Sequence, residues 1–454
     1  MKVCFETFGC RLNKAEALQM EADYLARGWS ITRSHADANL IVVRGCSVTA
    51  RAQYECEKLI AHLKRRYPSA CIKVCGCLKS NDSTPDSASK PLNPSTSQPL
   101  NFSTPQPLNF STPQPLPVRT ARAYLKVQDG CAGKCTFCIV PKFRGESKSV
   151  GFTALLDRAR RFIDAGYREI VVTGCNLALY ASEGRRLPDL VSALADLSPA
   201  TCNPQPATRN PQPATRNPQL ATRNPQPATR NPQPATRNPQ PASCRIRLGS
   251  LEPGPCAIET IHALAEHPNA CRFLHLPVQS GADRILTAMR RPYAVKDIED
   301  AVSLASKLMP CLGLGCDLMA GFPGESELDH AATKGLIRRL PFSNAHVFPF
   351  SERPGTLASG FPCQLPRDLR STRARDLSET IRSKRRKFAK SFIGKTVEIV
   401  VEDEKSGRGW TGEYLPCEPI GGNFVRKSTV RVFVTKTKDD LLIGRPQGRE
   451  SRHL

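Results

Sequence analysis

The chain has 454 residues, enough for two or three domains, and its 65 Lys and Arg against 41 Asp and Glu give a net charge of +24. That balance suits a polyanionic partner, nucleic acid before membrane, with an uninvolved basic surface as the alternative; no apolar run approaches the ~20 residues that cross a bilayer. Nineteen cysteines behind an opening MKVCFETFGC that has no apolar leader argue against a secreted disulfide scaffold, and favour metal ligation in a reducing, cytoplasmic compartment.

In chain order, residues 2–8 read as a strand, followed by GCRLN. Asn13 can cap a helix there, with Glu16 at capping-box spacing. Leu18, Ala22 and Leu25 give that helix an apolar face, and Gly28 ends it. A second strand covers 39–43. The next helix carries Val48, Ala52, Cys56, Leu59, Ile60 and Leu63 at helical spacing, and a third strand covers 72–75. This βαβαβ order implies a parallel sheet. Each strand ends in Gly-Cys, placing Cys10, Cys46 and Cys77 at the carboxyl edge where such sheets bind ligands, so the three thiols are expected to converge. Cys4, Cys71 and Cys75 read as packing residues. This first domain spans 1–80.

Residues 81–117 carry an eight-residue repeat (NFSTPQPL at 101 and 109), and 203–243 hold five full copies of a seven-residue unit, NPQPATR or once NPQLATR. Their prolines forbid helices and sheet interiors, so both read as low-complexity, disordered insertions. Between and after them, a central domain over 118–380 alternates strand-like segments near 122–127, 168–173, 245–249, 271–276, 313–320 and 345–349 with helices that include 152–164, 188–197, 256–266 and 325–339. Six β/α units make a partial barrel. The 203–243 repeat falls on the side away from the expected ligand face. The segments that follow the strands are the thiol loop, TGCN, SLEPG, PVQSG, GFPGE and SERPGT, which cluster on the face where barrels bind ligands. Beyond the barrel, RSKRRKFAK at 382–390 holds six basic residues and no acid. TVEIVVE at 396, TVRVFV at 429 and LLIG at 441 then give a small β-barrel over 390–450.

The first of these loops, GCAGKCTFCIVPKFRG, holds Cys131, Cys135 and Cys138 with no further His or Cys within ten residues. Three thiolates on one loop suit a four-iron cluster that leaves one iron open to a ligand. An incomplete zinc site is the alternative.

The C-x3-C-x2-C spacing after the first barrel strand resembles the radical S-adenosylmethionine superfamily. That resemblance implies that the open iron chelates S-adenosylmethionine, with Phe137 beside the adenine, Gly174 and Asn176 at the methionyl amino group, and Gln279 and Ser280 on a further cofactor-facing loop. Over 1–80 and 118–450 the chain resembles the methylthiotransferases. FGCRLN, RGCSVT and CGCL match the ligands of their auxiliary cluster, which implies two 4Fe-4S clusters. The implied reaction puts a methylthio group on an unactivated carbon. One S-adenosylmethionine methylates sulfur at the auxiliary cluster, and a second supplies the radical that removes hydrogen. The C-terminal module resembles TRAM, an RNA-binding barrel, and Lys384, Arg385, Arg386 and Lys387 before it suit phosphate contacts.

HVFPFSERPGT and GCRLN are similar to the MtaB-type branch, which implies methylthiolation of N6-threonylcarbamoyladenosine 37 in a tRNA anticodon stem-loop, with a flavodoxin or ferredoxin as electron donor and no membrane partner. Action on N6-isopentenyladenosine 37 or a ribosomal-protein aspartate is the alternative within the family, and an inactive iron–sulfur RNA-binding protein the alternative outside it. The family also adds a helix and strand after the third N-terminal cysteine, where this chain has the 81–117 repeat.

Overall fold

The protein is described here by a computed structural model covering residues 1–46, 50–78, 120–197 and 244–447. The repeats at 81–117 and 203–243, and Val48 of the second helix, lie outside these described residues.

The N-terminal unit contains β1 (Lys2–Thr7), α1 (Arg11–Ala26), β2 (Ser30–Thr32), β3 (Leu40–Gly45), α2 (Ala50–Arg66) and β4 (Cys71–Gly76). The four strands form a parallel sheet in the order β2-β1-β3-β4, with β2 an edge strand that the sequence pattern did not predict. Strict alternation buries Val3, Phe5, Leu40 and Val42 on one face against Tyr24 of α1, and Cys4, Ile41 and Val43 on the other against Leu63 of α2. Cys71, by contrast, is exposed rather than packed.

The expected capping box does not form. Helix α1 starts at Arg11 with Cys10 at its N-cap, so Asn13 falls inside the first turn. Its amide donates instead to the carbonyls of Phe8 at 2.8 Å and Gly45 at 3.0 Å, pinning the ends of β1 and β3 together. Glu16 turns to three cations, Arg44, Lys126 and Arg144. A local cap is worth about 1 kcal/mol, less than leaving such groups unmatched in a half-buried cluster.

The central unit has six parallel strands. β5 (Ala123–Lys126), β6 (Glu169–Thr173) and β7 (Arg245–Leu248) form one sheet, and β8 (Phe273–Gln279), β9 (Gly313–Ala320) and β10 (Asn344–Pro349) form another. Bridges from Ile246 to Ala270 and from Ser250 to His275 join them into one open arc. The short α3 (Val140–Arg144) ends the loop that follows β5, and its Arg144 reaches the N-terminal unit. Outside the arc pack α4 (Phe152–Asp164), α5 (Leu187–Ala195), α6 (Pro255–Glu266), α7 (Asp283–Ala288), α8 (Val295–Leu308), α9 (Glu327–Arg339) and α10 (Arg367–Lys390). Of these, α7 and α8 lie between two strands that the sequence reading left without a helix.

Ala123, Leu125, Ile170, Val172, Ile246, Leu248, Leu274 and Leu318 belong to the core shared with the helices. By the two-residue period of a strand, Tyr124, Val171, Arg247, Phe273, His275, Asp317 and His346 therefore line the concave face. Ala15 of α1 packs on Tyr124 and Val171, so the N-terminal unit closes over the β5 side of the arc.

The C-terminal unit is a closed barrel of β11 (Thr396–Val401), β12 (Gly409–Thr411), β13 (Pro416–Pro419), β14 (Thr429–Lys438) and β15 (Leu441–Gln447). It docks beneath the amino ends of the central strands through a buried ion cluster. Glu169, fully buried, accepts from Arg245 at 2.6 Å and Arg247 at 2.7 Å. These guanidiniums also donate to the carbonyls of Glu398, Trp410, Thr411 and Gly412. Burial alone would raise the Glu169 pKa, but Arg247, Arg245 and Arg122 drive it far below the carboxylate range. Removing any one of these charges strands the others. No helix among the described residues is long and apolar enough to cross a membrane.

Candidate functional site

The loop that leaves β5 is closed at its base by Gln128–Asp129 pairing antiparallel with Lys148–Ser149. Gly130, at φ +64°, lies so close to the Glu146 carbonyl that no Cβ fits there, and Cys131 N–H bonds the Gly145 carbonyl at 3.0 Å. Within the loop, the Gly133 amide points at the Cys131 sulfur at 3.3 Å. A Cβ on Gly133 would stand 3.1 Å from that sulfur and 3.9 Å from that of Cys135, so both thiols curl around the same backbone point. Buried Thr136 anchors the loop to the end of α7, its amide on the Met289 carbonyl and its hydroxyl on that of Ala288 at 3.0 Å. Burial pushes the Cys138 thiol up to about 11.

The neighbouring loops converge on these sulfurs. Arg291 donates to the Cys135 sulfur at 3.0 Å and is held by Glu252 and by the Tyr293 hydroxyl. Glu252, from SLEPG, accepts from the Asn176 side chain at 2.9 Å, so TGCN and SLEPG are tied to the thiol loop through one chain of contacts. A Cβ on Gly174 would stand 3.0 Å from the Gln128 carboxamide oxygen. Gln279 stands out: it is buried, adopts φ +64°, and its Oε1 has no hydrogen-bond partner among the described residues. A strained backbone presenting an unsatisfied buried acceptor is expected where a ligand's donor completes it. Ser280, by contrast, is used internally, accepting from the Ala282 amide and facing Thr333. Phe137 packs into the apolar cluster of Ile285, Met289, Met319, Phe322 and Phe350.

The second trio assembles from three strand ends. Gly9, at φ +87°, abuts Cys46 so closely that a Cβ would lie 2.6 Å and 2.7 Å from its Cβ and Sγ. Cys10 is exposed, while Cys46 and Cys77 are buried. Cys56 on α2 accepts from the Cys46 amide at 3.5 Å. Arg144, the last residue of α3, joins the two trios. It donates to the Cys77 sulfur at 3.2 Å, to Asn13 at 3.0 Å, to Glu16 at 2.9 Å and to Asp129 at 2.9 Å. Burial would raise Asp129, but Lys126 and Arg144 outweigh it and hold its carboxyl at about 2. Cys175 of TGCN reaches the same carboxylate at 3.7 Å.

This donor set suits clusters of several irons. Among the described residues, the ligand atoms gathered within 4.8 Å of one another are those of Cys4, Glu6 and His35, a grouping for a single ion that includes none of the six motif cysteines. Each motif trio is spread more widely, offers sulfur alone, and has a guanidinium donating to one of its sulfurs.

The basic run on α10 is largely engaged. Lys384 caps α9, donating to the carbonyls of Ile337 at 2.7 Å, Arg338 at 3.0 Å and Leu340 at 2.6 Å. Arg385 and Arg386 pair with Asp440 and Asp439 in the β14–β15 turn. Lys387 lines a groove with Phe342 and Phe388. Sequence reasoning gave no role to Arg144, Arg291, Glu252, Asp129 or Cys175; Arg144, Glu252 and Cys175 lay inside the segments GCAGKCTFCIVPKFRG, SLEPG and TGCN, whereas no motif marks Arg291 or Asp129.

Comparison with known proteins adds two family matches: residues 2–92 match the Uncharacterized protein family UPF0004, and residues 125–337 match the Radical SAM superfamily. Threonylcarbamoyladenosine tRNA methylthiotransferase MtaB of Aquifex aeolicus is 27% identical across 96% of this chain and 100% of its own. The tRNA-2-methylthio-N(6)-dimethylallyladenosine synthase of Chlorobium phaeovibrioides is also 27% identical, across 97% and 96%. Among solved structures, the radical S-adenosylmethionine methyltransferase TsrM from Kitasatospora setae shares the fold at a TM-score of 0.50 and 12% identity, covering 79% of this chain and 74% of that one.

Proposed function

Since the chain belongs to the radical S-adenosylmethionine methylthiotransferase family, enzymes that transfer a sulfur group, we propose that it adds a methylthio group to carbon 2 of N6-threonylcarbamoyladenosine 37 in the tRNA anticodon stem-loop. The observation that carries the reading is Arg144, one guanidinium that touches a sulfur of the N-terminal trio and the carboxylate beside the barrel trio. A single trio would support radical generation alone. A second trio tied to it supports delivery of sulfur to the radical's product. The motifs HVFPFSERPGT and GCRLN support the threonylcarbamoyl branch, since 27% identity to both kinds of relative does not separate them. The +24 charge and the closed C-terminal barrel support an RNA substrate.

Cys131, Cys135 and Cys138 would hold one 4Fe-4S cluster, and Cys10, Cys46 and Cys77 a second. When bound, the first with S-adenosylmethionine supplies the hydrogen-abstracting radical chemistry that an unactivated C–H bond requires. Around it, Arg291 donates to the Cys135 sulfur and holds it in place. Gln279 offers its unsatisfied Oε1 to a cofactor donor, and Asn176 and Glu252 hold their two loops in register. Phe137 and its apolar cluster keep water from that side, which protects a reactive intermediate. A flavodoxin or ferredoxin in the cytoplasm would deliver the electron.

Mass spectrometry of tRNA nucleosides from cells with and without the gene tests the reading. Deletion is expected to remove 2-methylthio-N6-threonylcarbamoyladenosine. Loss of the isopentenyl derivative instead would overturn the branch, and no change in either would overturn the tRNA substrate.

A further inference from the structure

Arg11 follows Cys10 directly and opens α1. Its guanidinium lies 5.3 Å from the centre of the Tyr414 ring, which rises from the C-terminal barrel between β12 and β13. Tyr414 stacks on Trp410 and on Phe273 of β8, each at 4.7 Å between centroids, and Arg247 stands 5.2 Å from its ring. Burial would raise the Tyr414 hydroxyl, yet Arg11, Arg122 and Arg247 bring it below the ordinary tyrosine value. Above this floor the concave face carries His275, Asp317 and His346, and the charge of Arg11 is felt at both Asp317 and His346. The part of the concave face around Arg11 therefore carries polar side chains, and Arg11 connects it to the N-terminal trio.

Most guanidiniums at these interfaces have carboxylates: Arg44 and Arg144 have Glu16, Arg122, Arg245 and Arg247 have Glu169, and Arg291 has Glu252, while Arg158 has the Gln19 carboxamide. Among the described residues no carboxylate lies within 4.0 Å of Arg11, and the nearby Asp317 is taken by His275 at 3.1 Å. A half-buried guanidinium on an aromatic floor, without an acid, is a receptor for an incoming carboxylate. We infer that Arg11, with the Tyr414 hydroxyl, is the subsite for the carboxylate on the N6 substituent of the substrate adenosine, and so decides which modified adenosine is accepted.

This rests on the threonylcarbamoyladenosine reading. A threonylcarbamoyl group ends in a carboxylate and carries a hydroxyl, whereas an isopentenyl group is hydrocarbon throughout. The hydrocarbon would cover Arg11 and leave it the Tyr414 hydroxyl alone, without a carboxylate, and a polar subsite rejects a ligand that cannot satisfy it far more strongly than an apolar one does.

The test is binding of the anaerobically reconstituted full chain to anticodon stem-loops carrying threonylcarbamoyladenosine, isopentenyladenosine or unmodified adenosine at position 37. The native chain should bind the first at least about tenfold tighter than the third. Arg11→Gln should close that gap while affinity for the unmodified loop and iron content stay unchanged, and Arg11→Lys should restore part of it. Tyr414→Phe, which keeps the ring stack, should narrow the gap about threefold. A preference of the native chain for the isopentenyl loop would overturn the substrate reading itself. A native preference for threonylcarbamoyl that survives in both Arg11→Gln and Tyr414→Phe would overturn only the subsite. Equal weakening toward all three loops would also overturn it, by making Arg11 a general RNA or structural contact. Should Arg11→Gln fail to retain iron, Tyr414→Phe decides, and an undiminished gap there sinks the inference.

Discussion

Cys131, Cys135 and Cys138 occupy one eight-residue loop, held by Gly133 inside it and Thr136 beneath it, whereas Cys10, Cys46 and Cys77 come from the ends of three separate strands. The first trio depends on local backbone geometry. The second exists only while β1, β3 and β4 lie parallel and in register, with Asn13 stapling two of their ends. A locally encoded site should tolerate damage elsewhere in the fold, and a distributed one should not.

The sharpest way to break this contrast is to remove one thiol from each trio. Cys135→Ala should lower iron from about eight to about four per chain and abolish both reductive cleavage of S-adenosylmethionine and product. Cys10→Ala should lose a similar amount of iron and all methylthio insertion, yet still cleave S-adenosylmethionine. If Cys10→Ala also stops cleavage, the two trios are not separate sites.

Arg144→Ala comes next, because it leaves Glu16, Asp129 and the Cys77 sulfur without their shared cation. A loss of about 3 kcal/mol in denaturant unfolding is expected. Protease susceptibility should rise between the N-terminal unit and the barrel, and an unchanged unfolding midpoint would mean that the trios are joined by other contacts.

The two glycines sharpen the comparison further. Gly9→Ala combines a φ of +87° with a clash against Cys46, and should cost about 2 kcal/mol and deplete the N-terminal cluster. Gly133→Ala meets the Cys131 sulfur at only 3.1 Å and should cost less than about 1 kcal/mol, with a slightly shifted spectrum of the barrel cluster. Equal iron loss in both variants would erase the proposed difference between them.

The smallest effect is that of acid. The folded-state pKa of Asp129, about 2, lies below its unfolded value, so its contribution is complete above about pH 4. It fades as pH falls from there toward 2. Asp129→Asn should flatten that part of an acid-unfolding curve, and an identical curve would assign the acid sensitivity elsewhere.

Much of this was legible in the chain. The parallel βαβαβ order, the six strands of the arc and the closed C-terminal barrel follow from hydrophobic period and turn residues, and the Gly-Cys pairs marked the strand ends that carry Cys10, Cys46 and Cys77. Gln279 was visible as part of PVQSG, although its positive φ and unsatisfied oxygen were not. Local reasoning failed where a residue had a stronger distant partner. Asn13 and Glu16 have a capping-box spacing, but strand-end carbonyls and three cations claim them. Lys384, Arg385 and Arg386 look like a free cationic stripe, but the α9 carbonyls and two aspartates of the β14–β15 turn engage them.

By itself, the sequence determined the identity of the six cysteines and the elements that carry them, because ligand type, spacing and strand or helix period are properties of neighbouring residues. Only the tertiary structure decided that one arginine joins the two trios, that Arg291 faces a sulfur, and that Arg11 stands on an aromatic floor without an acid. Charges act over several ångströms of space regardless of chain separation, so their pairing is settled by which elements pack together and cannot be read from spacing along the chain.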